Sequence, residues 1–232
     1  MENIMNTTAN GTVLAGAEKE QPHRGGMTRS SVTPNNRFLY QTISAFATLV
    51  QYRDAYTSGH QQNVSDLARS IATELGLSRN QIEGVRIAGT LHDIGKIAVP
   101  MAILAKAGQL SGEEFNLIKT HSQVGHDILK GVDFPWPVAE AILQHHERPD
   151  GSGYPRALEG EAVILEARIL GAADTVDAMA SHRPYRPAKG IKHALRELDV
   201  GAGLHYDHAV VKACRYLFME KGYKLLNSNA TI

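Results

Sequence analysis

The sequence predicts an all-α fold, and three observations lead to that class. Apolar residues recur at spacings of three and four along most of the chain, which is the period of an amphipathic helix. Several of these stretches begin after a residue that caps helix N-termini or end before a glycine. No stretch keeps the strict alternation of apolar and polar residues that is typical of a β-strand.

The first helical patterns lie in the N-terminal half of the chain. Apolar residues from Phe38 to Val50 predict one helix. A second pattern runs from Val64 to Leu75 and ends before Gly76, a residue suited to a helix C-cap. Ser78 is a candidate N-cap for a third helix, which runs towards His92.

The later patterns predict further helices around one long loop. Ser111 opens a fourth helix and Pro137 opens a fifth, which runs towards His145 and His146. The stretch 147–160 contains too many prolines and glycines for a regular element and is predicted to be a shaped loop. Helical patterns resume over 166–181, 191–198 and 207–219.

The two ends of the chain are predicted to be tails. Residues 1–36 are rich in Asn, Thr, Gly, Ser and Pro and have few apolar residues with which to offset the entropy of ordering. We therefore expect a flexible N-terminal tail at 1–36, a folded domain at 37–225 and a short C-terminal tail at 226–232.

Composition excludes several classes of protein. Twenty-four basic residues balance 24 acidic ones, so the chain lacks the cationic excess of a general DNA- or RNA-binding protein. The single cysteine, Cys214, excludes an intramolecular disulfide framework and suits the cytoplasm, which we take as the expected location. No apolar run is long enough to predict a membrane span, and the N-terminus lacks the order of a signal peptide.

The chain contains 11 histidines, and several stand with aspartates on separate predicted helices. Imidazole nitrogen and carboxylate oxygen suit Zn²⁺, Mn²⁺, Fe²⁺ and similar ions. Seven such ligands exceed the needs of one tetrahedral ion, so we predict two ions that share a bridging carboxylate. Histidines 23, 126, 193, 205 and 208 are interpreted as surface or capping residues. The candidate ligands are His60, His92, Asp93, His121, His145, His146 and Asp174.

Two segments carry a resemblance to a known family. LHDIGK at 91–96 and HHERPDGSGYP at 145–155 resemble the paired signature of HD-GYP domains, a branch of the HD metal-dependent phosphohydrolases. The resemblance extends from about Arg53 to Leu217. It implies an HD-domain helical bundle that hydrolyses the bacterial second messenger cyclic di-GMP to pGpG, GMP or both.

The resemblance also implies a division of the ligands. Some family members bind a third metal through a glutamate one helical turn before the first histidine, but here that position is Tyr56, so a centre of two divalent transition-metal ions (Fe, Mn or similar) is expected. The identity of the metal stays open. One ion would be held by His60, His92, Asp93 and Asp174 and the other by His121, His145 and His146, with Asp93 as the bridge.

The expected chemistry is attack on a phosphodiester by a bridging hydroxide. Two adjacent ions would lower the pKa of the bridging water and neutralise the charge of the phosphate. Lys96, expected on a continuation of the helix that carries His92 and Asp93, would face the phosphate or the leaving oxygen. The alternative interpretation of Lys96 is a surface residue at a helix C-terminus.

Other residues are candidates for binding the substrate. Gly151 and Gly153 can adopt conformations closed to other residues and would let the loop bring Tyr154 to the ligand, although Tyr154 could instead cover the core. Arg183 and Arg186 suit bidentate contacts with phosphate or guanine, although surface arginines are common.

Further residues are candidates for supporting roles or depart from the family pattern. Asp54 and Asp177 are interpreted as partners that orient histidines or Lys96. Ala157 and Ile164 stand where the family often has glycine and proline, so the path of the loop stays open.

Two other functions remain open at this point. The substrate could be another cyclic dinucleotide or a nucleotide, or the domain could be a cyclic di-GMP receptor without turnover. No receiver or sensor domain fits outside the predicted core. We therefore expect the input signal to come from a protein partner, from metal supply or through the tail.

Overall fold

Helices carry nearly all of the regular structure in the computed structural model, which describes residues 34–54, 59–181 and 188–226. Within these ranges there is no β-strand, and the only bridges are Asp150 with Glu159 and Ala202 with Tyr206. The predicted all-α class is therefore confirmed. The expected tails, apart from residues 34–36 and Leu226, lie outside the described residues.

The described helices follow the order of the sequence patterns. None of them is long and apolar enough to cross a lipid bilayer. The α-helices are α1 (Pro34–Arg53), α2 (His60–Glu74), α3 (Arg79–Leu91), α4 (Met101–Leu104), α5 (Gly112–Leu129), α6 (Val138–Gln144), α7 (Leu165–Ala180), α8 (Ile191–Val200) and α9 (His208–Met219), with 3₁₀ turns at Ile94–Ala98 and Gly160–Ala162.

Local chemistry explains where several helices begin and end. Ser78 and Ser111 each form a capping box, in which the serine side chain accepts the main-chain N–H three residues later and the side chain there accepts the serine N–H. Gly76 follows α2 with φ +76°, a left-handed conformation that favours glycine. These ends are where the sequence predicts them.

Two boundaries differ from the sequence prediction. Helix α1 begins at Pro34, two residues before the expected end of the tail, and proline suits the first turn of a helix because its missing N–H has no partner there. Helix α6 ends at Gln144, so that His145 is its C-cap and His146 lies beyond it.

Helix α2 lies at the centre of the packing and contacts α3, α7 and α9, while α5 packs against α6 and the turn Ile94–Ala98. The contacts between α2, α3 and α7 are made by fully buried side chains, which fix the relative positions of these helices. Their ends therefore form a rigid frame for polar groups. The side chains include Leu67, Ile71, Ile87, Leu91, Ile169 and Leu170.

Candidate metal centre

All seven predicted ligands come together in the structure. His60 is the first residue of α2, and the left-handed Gly59 (φ 86°) sets the direction of the chain before it. His92 caps α3, and Asp93 follows it. The others come from within α5, from the end of α6 and from within α7: His121, His145 and His146, and Asp174.

Two groups of side chains could each hold a metal ion, one made of His60, His92 and Asp93 and one of His121, His145 and His146. In each group the ligand atoms lie within 4.8 Å of one another. This division is the one that the family resemblance implies.

Two aspartates lie at the edges of these groups, Asp174 beside the first and Asp93 where the two groups meet. Asp174 Oδ1 lies 3.3 Å from Nε2 of His60. Asp93 lies between the groups, with Oδ2 3.5 Å from Nε2 of His92 and Oδ1 3.8 Å from Nε2 of His121. The position of Asp93 suits a carboxylate shared by two ions.

Main-chain hydrogen bonds fix which nitrogen of three histidines faces the centre. In each, Nδ1 contacts the carbonyl oxygen three residues earlier. Because a carbonyl oxygen only accepts hydrogen bonds, Nδ1 must carry the proton, and Nε2 of the neutral ring keeps its lone pair for a metal. The pairs are His92 with Gly89 (2.8 Å), His121 with Ile118 (2.7 Å) and His145 with Ile142 (2.6 Å).

The chemistry of these atoms fits a divalent cation. Nε2 of His92 is buried and has no hydrogen-bond partner among the described residues. The Nε2 atoms of His121 and His145 lie only 3.4 Å apart. Two lone pairs that face each other at this distance repel unless a cation or a proton lies between them. Borderline imidazole and hard carboxylate donors together are a ligand set for transition metals.

Burial keeps the second group of histidines neutral. Burial, followed by the nearby His121 and His92, lowers the pKa of His145 to about 3. Burial and the neighbouring His145 lower the pKa of His146 well below its ordinary value. A metal ion binds the neutral form of the imidazole ring. These histidines are already neutral, so they need not lose a proton before they bind a metal ion.

His60 behaves differently because carboxylates surround it. Burial acts to lower its pKa, but hydrogen bonds to Asp174 and Asp177 outweigh burial and raise the pKa to about 9. A metal ion at Nε2 must therefore displace a proton. Nδ1 of His60 donates to Oδ2 of Asp177 at 2.6 Å, a contact that leaves Nε2 facing the centre.

Lys96 contacts two carboxylates of the site. Its Nζ lies 2.8 Å from Oδ2 of Asp93 and 3.3 Å from Oδ2 of Asp54. Burial opposes ionisation of Asp93, but the charge of Lys96, followed by the nearby histidines, holds the pKa of Asp93 well below its ordinary value. Asp54 thus lies within hydrogen-bonding distance of Lys96, as the predicted supporting role requires.

Lys96 does not lie on a continuation of α3, which was one of the two interpretations that the sequence left open. Helix α3 ends at Leu91, and Lys96 lies in the 3₁₀ turn Ile94–Ala98. The turn runs so close to α5 that a Cβ atom at Gly95 would overlap the carbonyl oxygen of His121.

The loop 147–160 places Tyr154 beside the centre. Its ring stacks on the ring of His146 with centroids 4.7 Å apart and planes at 24°. Gly151 has φ +79°, as expected for a position that favours glycine. Gly153 has a different role, because φ there is not positive and a Cβ atom would instead overlap the main chain of Glu147 and Arg148. Close approach, not a left-handed conformation, requires this glycine.

Sequence reasoning missed three residues near the site. Glu147 is buried, and its carboxylate accepts the N–H groups of Arg156 (2.6 Å) and Leu158 (3.1 Å). Asn63 Nδ2 donates to Oδ1 of Asp177 at 2.7 Å. The sequence did carry a signal for Asn63. It stands three residues after His60, and residues at this spacing lie on the same face of a helix.

The third missed residue is Lys119, which lies two residues before His121 on α5. Its Nζ lies 5.4 Å from the centroid of the Tyr154 ring, and it pairs with no carboxylate in the part of the chain that the structure describes. Three residues of the sequence prediction cannot be placed, because Tyr56, Arg183 and Arg186 lie outside the described residues.

Comparison with known proteins identifies the family. Residues 44–210 match the family described as HD domain. The chain belongs to the HD domain family. HD-domain phosphohydrolases are metal-dependent, in agreement with the groups of histidine and aspartate at this centre. The resemblance read from the sequence is confirmed.

Two curated relatives are 40% or more identical to this chain. A cyclic di-GMP phosphodiesterase response regulator, RpfG, of Xanthomonas campestris pv. campestris is 41% identical over 175 residues, which cover 75% of this chain and 46% of the relative. A cyclic di-GMP phosphodiesterase of Thermotoga maritima is 40% identical over 186 residues, which cover 79% of this chain and 50% of the relative. The chain thus spans about half the length of the curated relatives it matches.

A solved structure shares the fold. The protein Bd1817 of Bdellovibrio bacteriovorus, described as an HDG"Y"P protein, superposes with a TM-score of 0.59. The match covers 78% of this chain and 63% of that one at 18% sequence identity. At this identity the likeness establishes the helical fold of the HD domain and nothing about substrate.

Proposed function

We propose that this HD domain is a bacterial cyclic di-GMP phosphodiesterase that uses two divalent transition-metal ions. One observation carries the proposal: seven histidine and aspartate side chains converge around Asp93, directly beside the loop that holds Tyr154. The names of the two curated relatives support cyclic di-GMP as the substrate.

The residues divide between the ions as the distances suggest. When bound, two such ions lower the pKa of water to give a nucleophile near neutral pH and neutralise the charge of the phosphodiester. One ion would be held by His60, His92, Asp93 and Asp174, and the other by His121, His145 and His146, with Asp93 shared.

Lys96 contributes positive charge next to the shared carboxylate. Its contact with Asp93 favours the ionised carboxylate that a metal requires. With the charge of Asp93 taken up by metal, the ammonium group is able to stabilise the negative charge that develops on the leaving oxygen. We therefore assign Lys96 and Asp93 to catalysis.

Tyr154 and nearby cations would hold the substrate. The Tyr154 ring is stacked on His146, so a guanine base would have to take the place of Lys119 on its other face, whereas the hydroxyl can meet a phosphate directly. Burial raises the pKa of Tyr154, so the hydroxyl stays neutral and can donate. Lys119 lies over this ring. We include Gly153, Arg183 and Arg186 in the binding site, as the family resemblance implies.

The location of the protein and the source of its input signal are also predictions. A cytoplasmic location and a protein partner that supplies the input signal remain expectations from the sequence. The complete ligand set favours turnover over the alternative of a receptor, since binding a dinucleotide alone does not require seven metal ligands.

The test is product identification from metal-loaded protein. The protein should be purified without oxygen, loaded with Mn²⁺ or Fe²⁺ and incubated with cyclic di-GMP and, separately, with other cyclic dinucleotides. We expect pGpG or GMP from cyclic di-GMP. His121→Ala should abolish the reaction, while His126→Ala, on the same helix but outside the centre, should retain it. Binding of cyclic di-GMP without product would support a receptor instead.

A further inference from the structure

The C-terminal segment 221–226 is anchored at both ends to α2. Lys221 Nζ lies 2.6 Å from Oε2 of Glu74, near the end of α2. The N–H of Leu226 donates to Oδ1 of Asn63 at 2.8 Å, near the start of α2. Eleven residues of helix rise ~16 Å, and five residues of extended chain span at most ~17 Å. The segment therefore follows α2 back towards the metal centre.

Asn63 joins this segment to a carboxylate of the centre. Its side chain is buried, and its Nδ2 contacts both Oδ1 of Asp177 (2.7 Å) and the carbonyl oxygen of Leu226 (3.3 Å). The partners settle the orientation of the amide, because the Leu226 N–H needs an acceptor and the Asp177 carboxylate needs a donor.

Asp177 connects Asn63 to His60 through hydrogen bonds at its two carboxylate oxygens. It is 1% exposed, so its charge depends on hydrogen bonds, and it accepts them from Asn63 and Ser181 at Oδ1 and from His60 at Oδ2. Nδ1 of His60 must carry a proton to donate here, and Nε2 is then directed to the metal. The contacts form a continuous chain from Leu226 to the metal-facing nitrogen of His60.

We propose that Asn63 is a positioning residue of the metal centre and that it makes the main chain of Leu226 part of the support for His60. The inference rests on the proposed role of His60 as a metal ligand. It adds a consequence that the ligand set alone does not give: binding of metal at His60 and docking of the C-terminal segment strengthen each other.

The link consists of two hydrogen bonds, from the Leu226 N–H to Asn63 and from Asn63 to Asp177. Asn63→Leu removes both hydrogen bonds at nearly constant volume, whereas Asn63→Asp and Leu226→Pro each affect one of them. Asn63→Asp keeps an acceptor for the Leu226 N–H but places a carboxylate against Asp177. Leu226→Pro removes the N–H and leaves Asn63 in place. Leu226→Ala is the matched control, because the Leu226 side chain is exposed and alanine keeps the N–H.

The readout is affinity for Zn²⁺, measured by competition with a chelating indicator and without any substrate. Loss of a hydrogen-bonding partner behind a ligand costs about 10- to 100-fold in metal affinity. We expect about a tenfold weakening of one of the two sites in Asn63→Leu and Asn63→Asp, a smaller weakening in Leu226→Pro and none in Leu226→Ala. His60→Ala identifies which site is affected.

A second measurement needs no variant. Coupling is reciprocal, so Zn²⁺ should slow hydrogen exchange of the Leu226 amide by the same factor by which the contact strengthens Zn²⁺ binding. Unchanged exchange, or variants that unfold more easily but bind Zn²⁺ as the parent does, would overturn the inference and leave the segment with a purely stabilising role. A parent protein that binds no Zn²⁺ at all would instead overturn the metal centre and the proposed function.

Discussion

The carboxylate of Glu147 holds the main chain on both sides of Ala157. It accepts the N–H groups of Arg156 and Leu158, while Ala157 between them has φ 51°, a left-handed conformation that costs a residue with a side chain about 1 to 2 kcal/mol. One buried side chain thus fixes the second half of the loop that carries Tyr154.

Ala157→Gly should stabilise the protein. Glycine adopts the left-handed conformation without steric cost but loses about 0.5 to 1 kcal/mol more in entropy than alanine. The net gain should be about 0.5 to 1 kcal/mol in the free energy of unfolding, measured in urea. Ala45→Gly, at an exposed position in the middle of α1, should lower stability by about 1 kcal/mol. A lower stability for Ala157→Gly would show that the conformation is not strained.

Asp93→Asn should weaken binding of both metal ions, whereas His60→Ala should weaken only one. The reason is position, since Asp93 lies within 3.8 Å of ligand nitrogens in both groups and His60 belongs to one. Elemental analysis after reconstitution should give two ions per chain for the parent protein. One ion or fewer in the parent would contradict the two-metal centre.

Lys96→Ala should lower kcat even when the protein is saturated with metal, although saturation should need a higher concentration of the ion because Lys96 favours the ionised carboxylate of Asp93. An interaction that strengthens as charge develops on the leaving oxygen acts on the transition state and not on the bound substrate. Lys96→Arg keeps the charge and should recover part of the rate. The role fails if kcat is the same in Lys96→Ala and in the parent, measured with saturating cyclic di-GMP.

Lys119→Ala should raise KM more than it lowers kcat, because Lys119 lies over the Tyr154 ring at the site and not beside Asp93. A charged hydrogen bond to phosphate contributes roughly 1.5 to 3 kcal/mol, or about 10- to 100-fold in affinity. Lys130→Ala is the control, since Lys130 directly follows α5 and already pairs with Asp127 in the last turn of that helix. Equal KM values in both variants would exclude Lys119 from substrate binding.

Cys214 should not react with a thiol reagent while the protein is folded. Burial, followed by the charge of Asp199, raises the pKa of the Cys214 thiol to about 12. At pH 8 roughly one thiol in 10,000 is then ionised, and the thiolate is the reactive form. Labelling should be complete in urea. Rapid labelling of folded protein would show that α9 opens locally.

The helices and most of the centre could be predicted because their signals are local. The serines before α3 and α5 and the glycine after α2 determine the chain's conformation within a few residues. The ligands His92 and Asp93, and likewise His145 and His146, are adjacent and end apolar stretches. That they lie together at one centre could therefore be predicted from sequence and family resemblance together.

What the sequence did not predict depends on contacts between distant residues. Asn63 meets Asp177 and Leu226, which are 114 and 163 residues away. The 3₁₀ turn that carries Lys96 follows from close packing of Gly95 on α5. Helix α4 has a single turn and leaves no periodic pattern. Apart from the spacing of Asn63 from His60, none of these features has a local signature in the sequence.

The close contact between Gly95 and the carbonyl oxygen of His121 is made by main-chain atoms. It therefore sets the distance between the two ligand groups without depending on side chains. Asp93 is two residues from this contact on one side, and His121 is part of it on the other. If a substitution on a helix surface shifts one group, we expect the other group to shift with it, because the main-chain contact joins them. We expect the distance between the two ions to change little when surface residues of the domain are substituted. Surfaces and partners can then diverge during evolution while the reaction is preserved.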